Sequence, residues 1–423
     1  MKKYRFQECK KQLSNKSGLT LIDNLWNKFD LNQHFKYPKK FKNLVFSLVS
    51  GAECLDDIDQ LKKDHLFKSL VKPYSSKTIG NFLGKYSNHD IYKLNQTSLE
   101  LAFSLREKFF DDKKFILSMD STPHEQTGKK MEGVAWNYKN QWCLDSQNAY
   151  DQFGINYGFR LRPGNTHSSV GSTELIYSIF SKAKEMDKWF RADSAYANKN
   201  NYNALLSQGV KFAMPLKSSI TKRLITLNSS TCVWKKAKNL RFFSSDNCEL
   251  AHGRYPIEGL HGDRKELNVV FVRVPVQEEQ IDIFSDERYK YYTLVTNLEQ
   301  TQKSDEEVFK FYMKRANCEN FIRDQKYGFD FLHFPCLKLN KNRVYGAAGT
   351  IAYNFMRVLG YMIKKEGCFA KKVRSRLIDL PCIVIKHARS TVFRLNSHHK
   401  EVIEKFMNHL NQKFMLNKLK SSG

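Results

Sequence analysis

Phe115-Ile-Leu-Ser-Met-Asp120 is a short apolar run that ends on a carboxylate, and a new sequence grammar begins with it in a chain of 423 residues. Trp142-Cys-Leu-Asp-Ser-Gln-Asn-Ala-Tyr150 and Tyr157-Gly-Phe-Arg-Leu-Arg162 follow as strand-like runs, and Pro163-Gly164-Asn165 marks a turn. These read as consecutive antiparallel strands. The pattern then alternates. Ser172 to Met186 is helical, Trp189-Phe-Arg-Ala-Asp193 is a second short strand ending in a carboxylate, Asn200 to Gln208 is helical, and Val210-Lys-Phe-Ala-Met214 is a strand. Three hairpin strands followed by alternating helix and strand predict an α/β domain with a mixed sheet.

Outward from this centre the chain changes character on both sides. Upstream, Leu19, Leu21, Ile22, Leu25, Trp26 and Phe29 recur at helical spacing, and Ile91 to Phe110 is another periodic stretch, so residues 1–110 form a helical N-terminal segment. Within it, Ser75 to Tyr86 reads as a short basic recognition helix or, equally, as an ordinary packing helix. Downstream, about 217–300 is strand-rich, with Leu267 to Val274 and Tyr291 to Thr296 as its clearest strands, and reads as a β-rich insertion. Ser304-Asp-Glu-Glu supplies a capping box for a long helix through about Lys326. Val344 to Lys365 is an apolar helix that closes the α/β domain, residues 111–365. Residues 366–423 form a basic, helical C-terminal region.

The most informative segment within the domain is Tyr312-Met-Lys-Arg-Ala-Asn-Cys-Glu-Asn-Phe-Ile-Arg-Asp-Gln-Lys326, which reads Y-x2-R-x3-E-x6-K. On an unbroken helix the three later residues fall about 60°, 20° and 40° from Tyr312, so all four share one stripe. A carboxylate between cationic groups and a phenol suits a metal ligand flanked by phosphate contacts. A salt-bridged surface helix would explain Arg315 and Glu319 alone. At roughly 5% usage per residue type, however, four residues at fixed spacing seldom coincide by chance.

Asp120 and Asp193 each close a strand, where loops build a site at the rim of a sheet. With a helix-borne Glu319 they make a set of hard oxygen donors, suited to two Mg²⁺ or Mn²⁺ ions acting on a phosphodiester. Asp111, Asp112, Asp145, Asp151 and Asp187 are rivals less well placed, and Glu306 and Glu307 are explained by the first helical turn.

The Y-R-E-K pattern, preceded by Leu-Ser-Met-Asp-Ser-Thr and Arg-Ala-Asp-Ser-Ala-Tyr-Ala, resembles the insertion-sequence-four superfamily of bacterial DDE transposases over roughly residues 15 to 365. The resemblance implies an RNase H-like catalytic domain with Asp120, Asp193 and Glu319 as the metal-binding triad. It implies that Tyr312, Arg315 and Lys326 contact transposon-end DNA near the scissile phosphate, and that an aromatic residue in the insertion, Trp234 here, captures a flipped base. It also implies cut-and-paste transposition in a homodimeric complex with double-stranded DNA. The N-terminal helical segment does not align with a known end-binding domain, and is expected on its own pattern to bind the DNA ends. A nuclease on the same fold and an inactive DNA-binding regulator remain the alternatives.

A net charge of +27, spread along the chain, is the footprint of a polyanion partner or, more blandly, of a solvated lysine-rich surface. Arg160, Arg162 and Arg323 are among the side chains that could track phosphates. The nine cysteines are scattered without a C-x-x-C pair and read as reduced thiols. No run has membrane-spanning length, and neither G-x-x-x-x-G-K-[ST] nor G-x-G-x-x-G occurs, so a cytoplasmic, nucleoid-associated protein without a nucleotide cofactor is expected.

Overall fold

The computed structural model describes residues 7–238, 240, 247–259, 262–276, 289–388 and 390–420. A short strand, β1 (Leu13–Ser14), precedes six helices: α1 (Leu19–Lys28), α2 (Pro38–Val49), α3 (Asp57–Leu61), α4 (His65–Leu70), α5 (Ser76–Leu83) and α6 (Asn88–Phe109). Helix α6 opens on a full capping box between Ser87 and Asp90, and it buries Ile91, Leu94, Leu99, Leu101, Ala102 and Leu105. Helix α5 starts at Ser75, whose side chain accepts from the Thr78 N–H, and buries Ile79, Phe82 and Leu83.

The strands of the α/β region are β2 (Lys114–Glu125), β3 (Ala135–Trp136), β4 (Trp142–Tyr150), β5 (Asn156–Pro163), β6 (Asp187–Ala192) and β7 (Lys211–Pro215), with α7 (Ser172–Phe180) and α8 (Lys199–Ser207) between the later ones. Next come α9 (Ser218–Leu227), β8 (Lys235–Lys236), β9 (Glu249–Glu258), β10 (Arg264–Pro275), β11 (Tyr289–Thr296), α10 (Asp305–Met313), α11 (Asn317–Gly328) and α12 (Leu339–Ile363). The chain closes with α13 (Ala370–Val373), β12 (Cys382–Lys386), β13 (Thr391–Arg394) and α14 (Ser397–Lys420).

One large sheet runs β3-β4-β2-β6-β7-β11-β10-β9-β8, with β5 also paired to β4. Its β5-β4-β2 part is antiparallel, and β2-β6-β7 is parallel. The strand-rich stretch is continuous with this sheet, because β11 pairs antiparallel with β7 through Met214 and Val295. Helix α12 is buried along almost its whole length, with α2, α5 and α6 against it and β5 beneath. Gly346 and Gly349 permit this approach: a Cβ at either would stand 2.3 Å from the ring of Phe159 or Phe331. One hydrophobic core therefore runs from Leu19 in α1 through the sheet to Leu410 in α14. A second cluster, including Trp189, Val270, Val272, Leu294, Phe309 and Phe311, lies where α10 crosses the sheet.

Four elements differ from the sequence expectation. Strand β2 does not stop at Asp120: it continues to Glu125 because β4 goes on pairing with it after β6 has ended. Helix α7 ends at Phe180, six residues before Met186; Lys182 and Ala183 already bond back to Ile179 and Phe180 in short turns that bring the chain to β6. The helix expected through Lys326 is two helices, separated by a 3₁₀ turn at Lys314–Ala316. The C-terminal region is not wholly helical, since Cys382-Ile-Val-Ile-Lys386 pairs with β1 and β13 in a small sheet that joins the two ends of the chain.

Candidate active site

In the parallel pair β2-β6, Met119 stands opposite Ala192, so Asp120 and Asp193 occupy the next position on two neighbouring strands. Strand β6 ends there, and Asp193 turns the chain by capping the 3₁₀ turn Ser194–Tyr196, its Oδ1 accepting the Ala195 N–H at 2.9 Å. Asp120 Oδ1 accepts the Ser121 N–H at 2.9 Å. The two carboxylates are thus placed by backbone geometry. Burial raises the Asp120 carboxyl to about 6, with Arg315 pulling it down and Asp193 pushing it up. Asp193 is also raised, again chiefly by burial.

Arg315 joins the third carboxylate to the first. Its Nη1 donates to Asp120 Oδ2 at 3.0 Å and its Nη2 to Glu319 Oε1 at 2.8 Å. Burial acts against this charge, but Asp120, Tyr312 and Glu319 outweigh it and raise the pKa of Arg315. The 3₁₀ turn beneath Arg315 has an identifiable partner in Arg191. That buried side chain donates from Nη1 to the Phe311 carbonyl and from Nε to Ser118 Oγ, each at 2.9 Å, tying the end of α10 to β2 and β6. Sequence reading passed over Arg191 as one residue of a strand; a cation inside an apolar strand was the available signal.

The other expected site residues are dispersed around this centre. Tyr312 is half-buried against Tyr292, their ring centroids 6.3 Å apart, and faces Arg315. Lys326 Nζ lies on β2 beyond Asp120, donating to Thr122 Oγ1 at 3.1 Å and to the Pro123 carbonyl at 2.5 Å. Arg323 is exposed, bonded to Asn320 and beside the Phe369 ring. Trp234 lies in the strand-rich extension under the guanidinium of Arg273, which is 4.3 Å from its ring centre. Arg160 is half-buried and bonded to the Gly171 carbonyl, and Arg162 is buried, held by Asp145 and the Val170 carbonyl.

Three of the rival carboxylates are paired with cations. Asp145 pairs with Arg162, Asp151 with Arg106 and Asp187 with Lys211. A cleft of about 390 Å³ that reaches Asp193 and Ser121 was not foreseen. Ser121, Trp136, Tyr138, His167 and Asp193 line it, and Trp136 and Tyr138 are 63% and 85% exposed. Asn137 stiffens the β3-β4 turn that carries them, its Oδ1 accepting the N–H groups of Lys139 and Gln141 at 2.9 and 3.0 Å. The Trp-Asn-Tyr-Lys-Asn stretch was the legible sign of it.

Among the described residues no three acidic, histidine or cysteine side chains converge closely enough to make a cation cage. Asp120 and Asp193 nevertheless offer hard oxygen donors from adjacent backbone positions, and Glu319 reaches them through Arg315. That donor set fits Mg²⁺ or Mn²⁺, which bind through few carboxylates and keep places for phosphate and water. The family described as transposase DDE domain group 1 matches residues 11–415. The chain belongs to this family of DDE transposases. No curated protein matches it. In this DDE domain the family match runs beyond the α/β sheet, from the segment holding β1 into α14. A transposase acts on DNA, a polyanion with which a charge of +27 is compatible. No helix among the described residues is long and apolar enough to cross a membrane.

Proposed function

We propose that the chain is a cut-and-paste transposase of the insertion-sequence-four type, working as a homodimer on double-stranded DNA in the nucleoid. The observation that carries this reading is the placement of Asp120 and Asp193 side by side at the end of the β2-β6 pairing, with Arg315 and Glu319 over them. The strand order β5-β4-β2-β6-β7, three antiparallel and then parallel, supports an RNase H-like catalytic domain. Asp120, Asp193 and Glu319 would hold two Mg²⁺ or Mn²⁺ ions, which would activate the attacking oxygen and stabilise the leaving one. Arg315 and the exposed Arg323 meet phosphates, and the helical segment 1–110 takes part in binding the DNA ends.

For base contacts, the exposed rings of Trp136 and Tyr138 are better placed than Trp234. They border the cleft at Asp193, whereas Trp234 already stacks under Arg273. Lys326 acts by holding β2 beside Asp120. Lys326→Met is expected to slow cleavage roughly tenfold while leaving the salt dependence of DNA binding unchanged; a slope reduced by about one phosphate contact would instead assign the ammonium to DNA.

The deciding experiment is strand cleavage and joining on DNA that carries the element's own flanking ends, with Mg²⁺ and with a chelator. Nicking and joining that require the cation are expected. Nicking without joining would favour a nuclease on the same fold, and binding without cleavage in both Mg²⁺ and Mn²⁺ would favour an inactive DNA-binding descendant.

A further inference from the structure

We infer that Arg315 is a positioning residue that couples DNA binding to cation loading: its guanidinium bridges Asp120 and Glu319 until a DNA phosphate takes the fork, which releases both carboxylates to the divalent ion. This rests on the reading of Asp120, Asp193 and Glu319 as the cation site.

The bridge is lopsided. The Arg315 and Asp120 side chains are 17% and 15% exposed, so that limb is shielded, whereas the Glu319 side chain is 61% exposed. An ion pair so open to water is weakly held, and its outer limb is the one a DNA strand meets first. A phosphate offers the guanidinium the same two-pronged acceptor geometry as the carboxylate pair, with charge on both oxygens. Arg315 can therefore exchange partners without losing bonds. While the fork is on Asp120 Oδ2, a divalent ion at that oxygen would face a second positive charge in contact with it, so the two cations exclude one another.

The surroundings allow the exchange. Besides Asp120 and Glu319, the groups facing Arg315 include the phenols of Tyr312 and Tyr292, the carboxylate of Asp193, the thiol of Cys318 and the guanidinium of Arg191. Arg315 sits within the 3₁₀ turn between α10 and α11, and Arg191 already accounts for the Phe311 carbonyl at the end of α10. The turn thus belongs to neither helix ladder. Empty protein is in this way kept from loading metal, and a cutting site forms only where DNA is present.

The test is Mn²⁺ affinity of the full chain, read from free Mn²⁺ by electron paramagnetic resonance, with and without a short blunt duplex and corrected for Mn²⁺ held by the duplex alone. In wild type the duplex is expected to tighten Mn²⁺ binding by about tenfold or more, within the usual range of coupling between sites. Arg315→Gln should bind Mn²⁺ without DNA as tightly as wild type does with it, and gain less than about twofold from the duplex. Arg315→Lys keeps the charge and loses the fork, so it should resemble Arg315→Gln. If Arg315→Lys matches wild type while Arg315→Gln does not, the charge alone matters and the fork exchange is overturned; if the duplex tightens all three forms alike, Arg315 plays no part and the coupling is overturned. Absence of Mn²⁺ binding in every form, with or without duplex, would bring down the cation-site reading itself.

Discussion

Asp120→Asn is expected to lower strand cleavage by roughly 1,000-fold or more, about 4 kcal/mol of transition-state stabilisation, while leaving the protein at least as stable at neutral pH. The first half follows from the proposed role of Asp120 as a charged cation ligand beside Asp193. The second follows from burial, which raises the Asp120 carboxyl to about 6 despite Arg315. A carboxyl whose folded pKa lies above its unfolded value contributes stability below the unfolded pKa and loses it as pH rises through the folded one. At pH 7.5 the ionised group therefore carries a cost, on the order of 1–3 kcal/mol after allowance for partial exposure, that a neutral amide does not. Loss of one Arg315 bond offsets part of the gain, since Arg315 keeps Glu319. Wild type should lose stability on this account as pH rises from about 4 to 7, and the variant should lose less. Glu319→Gln separates the two effects: its exposed side chain predicts the same loss of cleavage with an unchanged melting temperature. A clear fall in melting temperature for Asp120→Asn, with cleavage retained, would mean that Asp120 is structural.

Residues whose roles depend on local backbone were readable in the sequence. Asp193 ends a strand and caps a turn within two residues, and Ser304 and Glu307 form their capping box within three, so short-range pattern was sufficient. Asp120 was singled out for a partly mistaken reason. The sequence marked it as a strand end, whereas it is a fork at which β6 leaves and β4 stays, a feature of pairing and not of β2 itself. The Y-R-E-K spacing was read on an unbroken helix. The 3₁₀ turn could not be foreseen because Arg191, which meets the end of α10, lies 120 residues upstream of Phe311. In the same way the bond from Arg315 to Asp120 spans 195 positions, and no periodicity within one element carries that information.

Charge shows the same division. The total of +27 is read as a polyanion partner or a solvated lysine-rich surface, but residue by residue the basic side chains separate into those spent on the fold and those left outside. Arg162 completes a nearly buried pair with Asp145, and Lys326 fastens β2, so neither is a simple surface cation. Arg323 looks the same in sequence and is exposed. Burial of the partner decides, and burial is a property of the assembled sheet.

Arg106→Met should destabilise the protein by about 3–5 kcal/mol, the usual cost of leaving a buried charge without its partner. Arg106 in α6 and Asp151 after β4 are 1% and 0% exposed, joined at 2.8 Å. The guanidinium also donates to the carbonyls of Asp112 and Lys114, and the Phe115 and Phe153 rings lie about 5 Å from it. Asp151 in turn accepts the Phe153 and Ile155 N–H groups and the Tyr157 hydroxyl. A thioether in place of Arg106 fills the space but leaves this carboxylate charged within the core. Burial already raises the Asp151 pKa, and removing Arg106 raises it further, so protonation relieves the defect. By the sign of that shift, the stability difference from wild type should shrink as pH falls. Adding Asp151→Asn to Arg106→Met should also recover part of the loss, because the amide oxygen still accepts the two backbone N–H groups without carrying charge. Urea denaturation of both variants at two pH values is the measurement. A cost under about 1 kcal/mol at neutral pH would mean that water reaches the carboxylate once Arg106 is gone, and that α6 is fastened to the sheet by its apolar face alone.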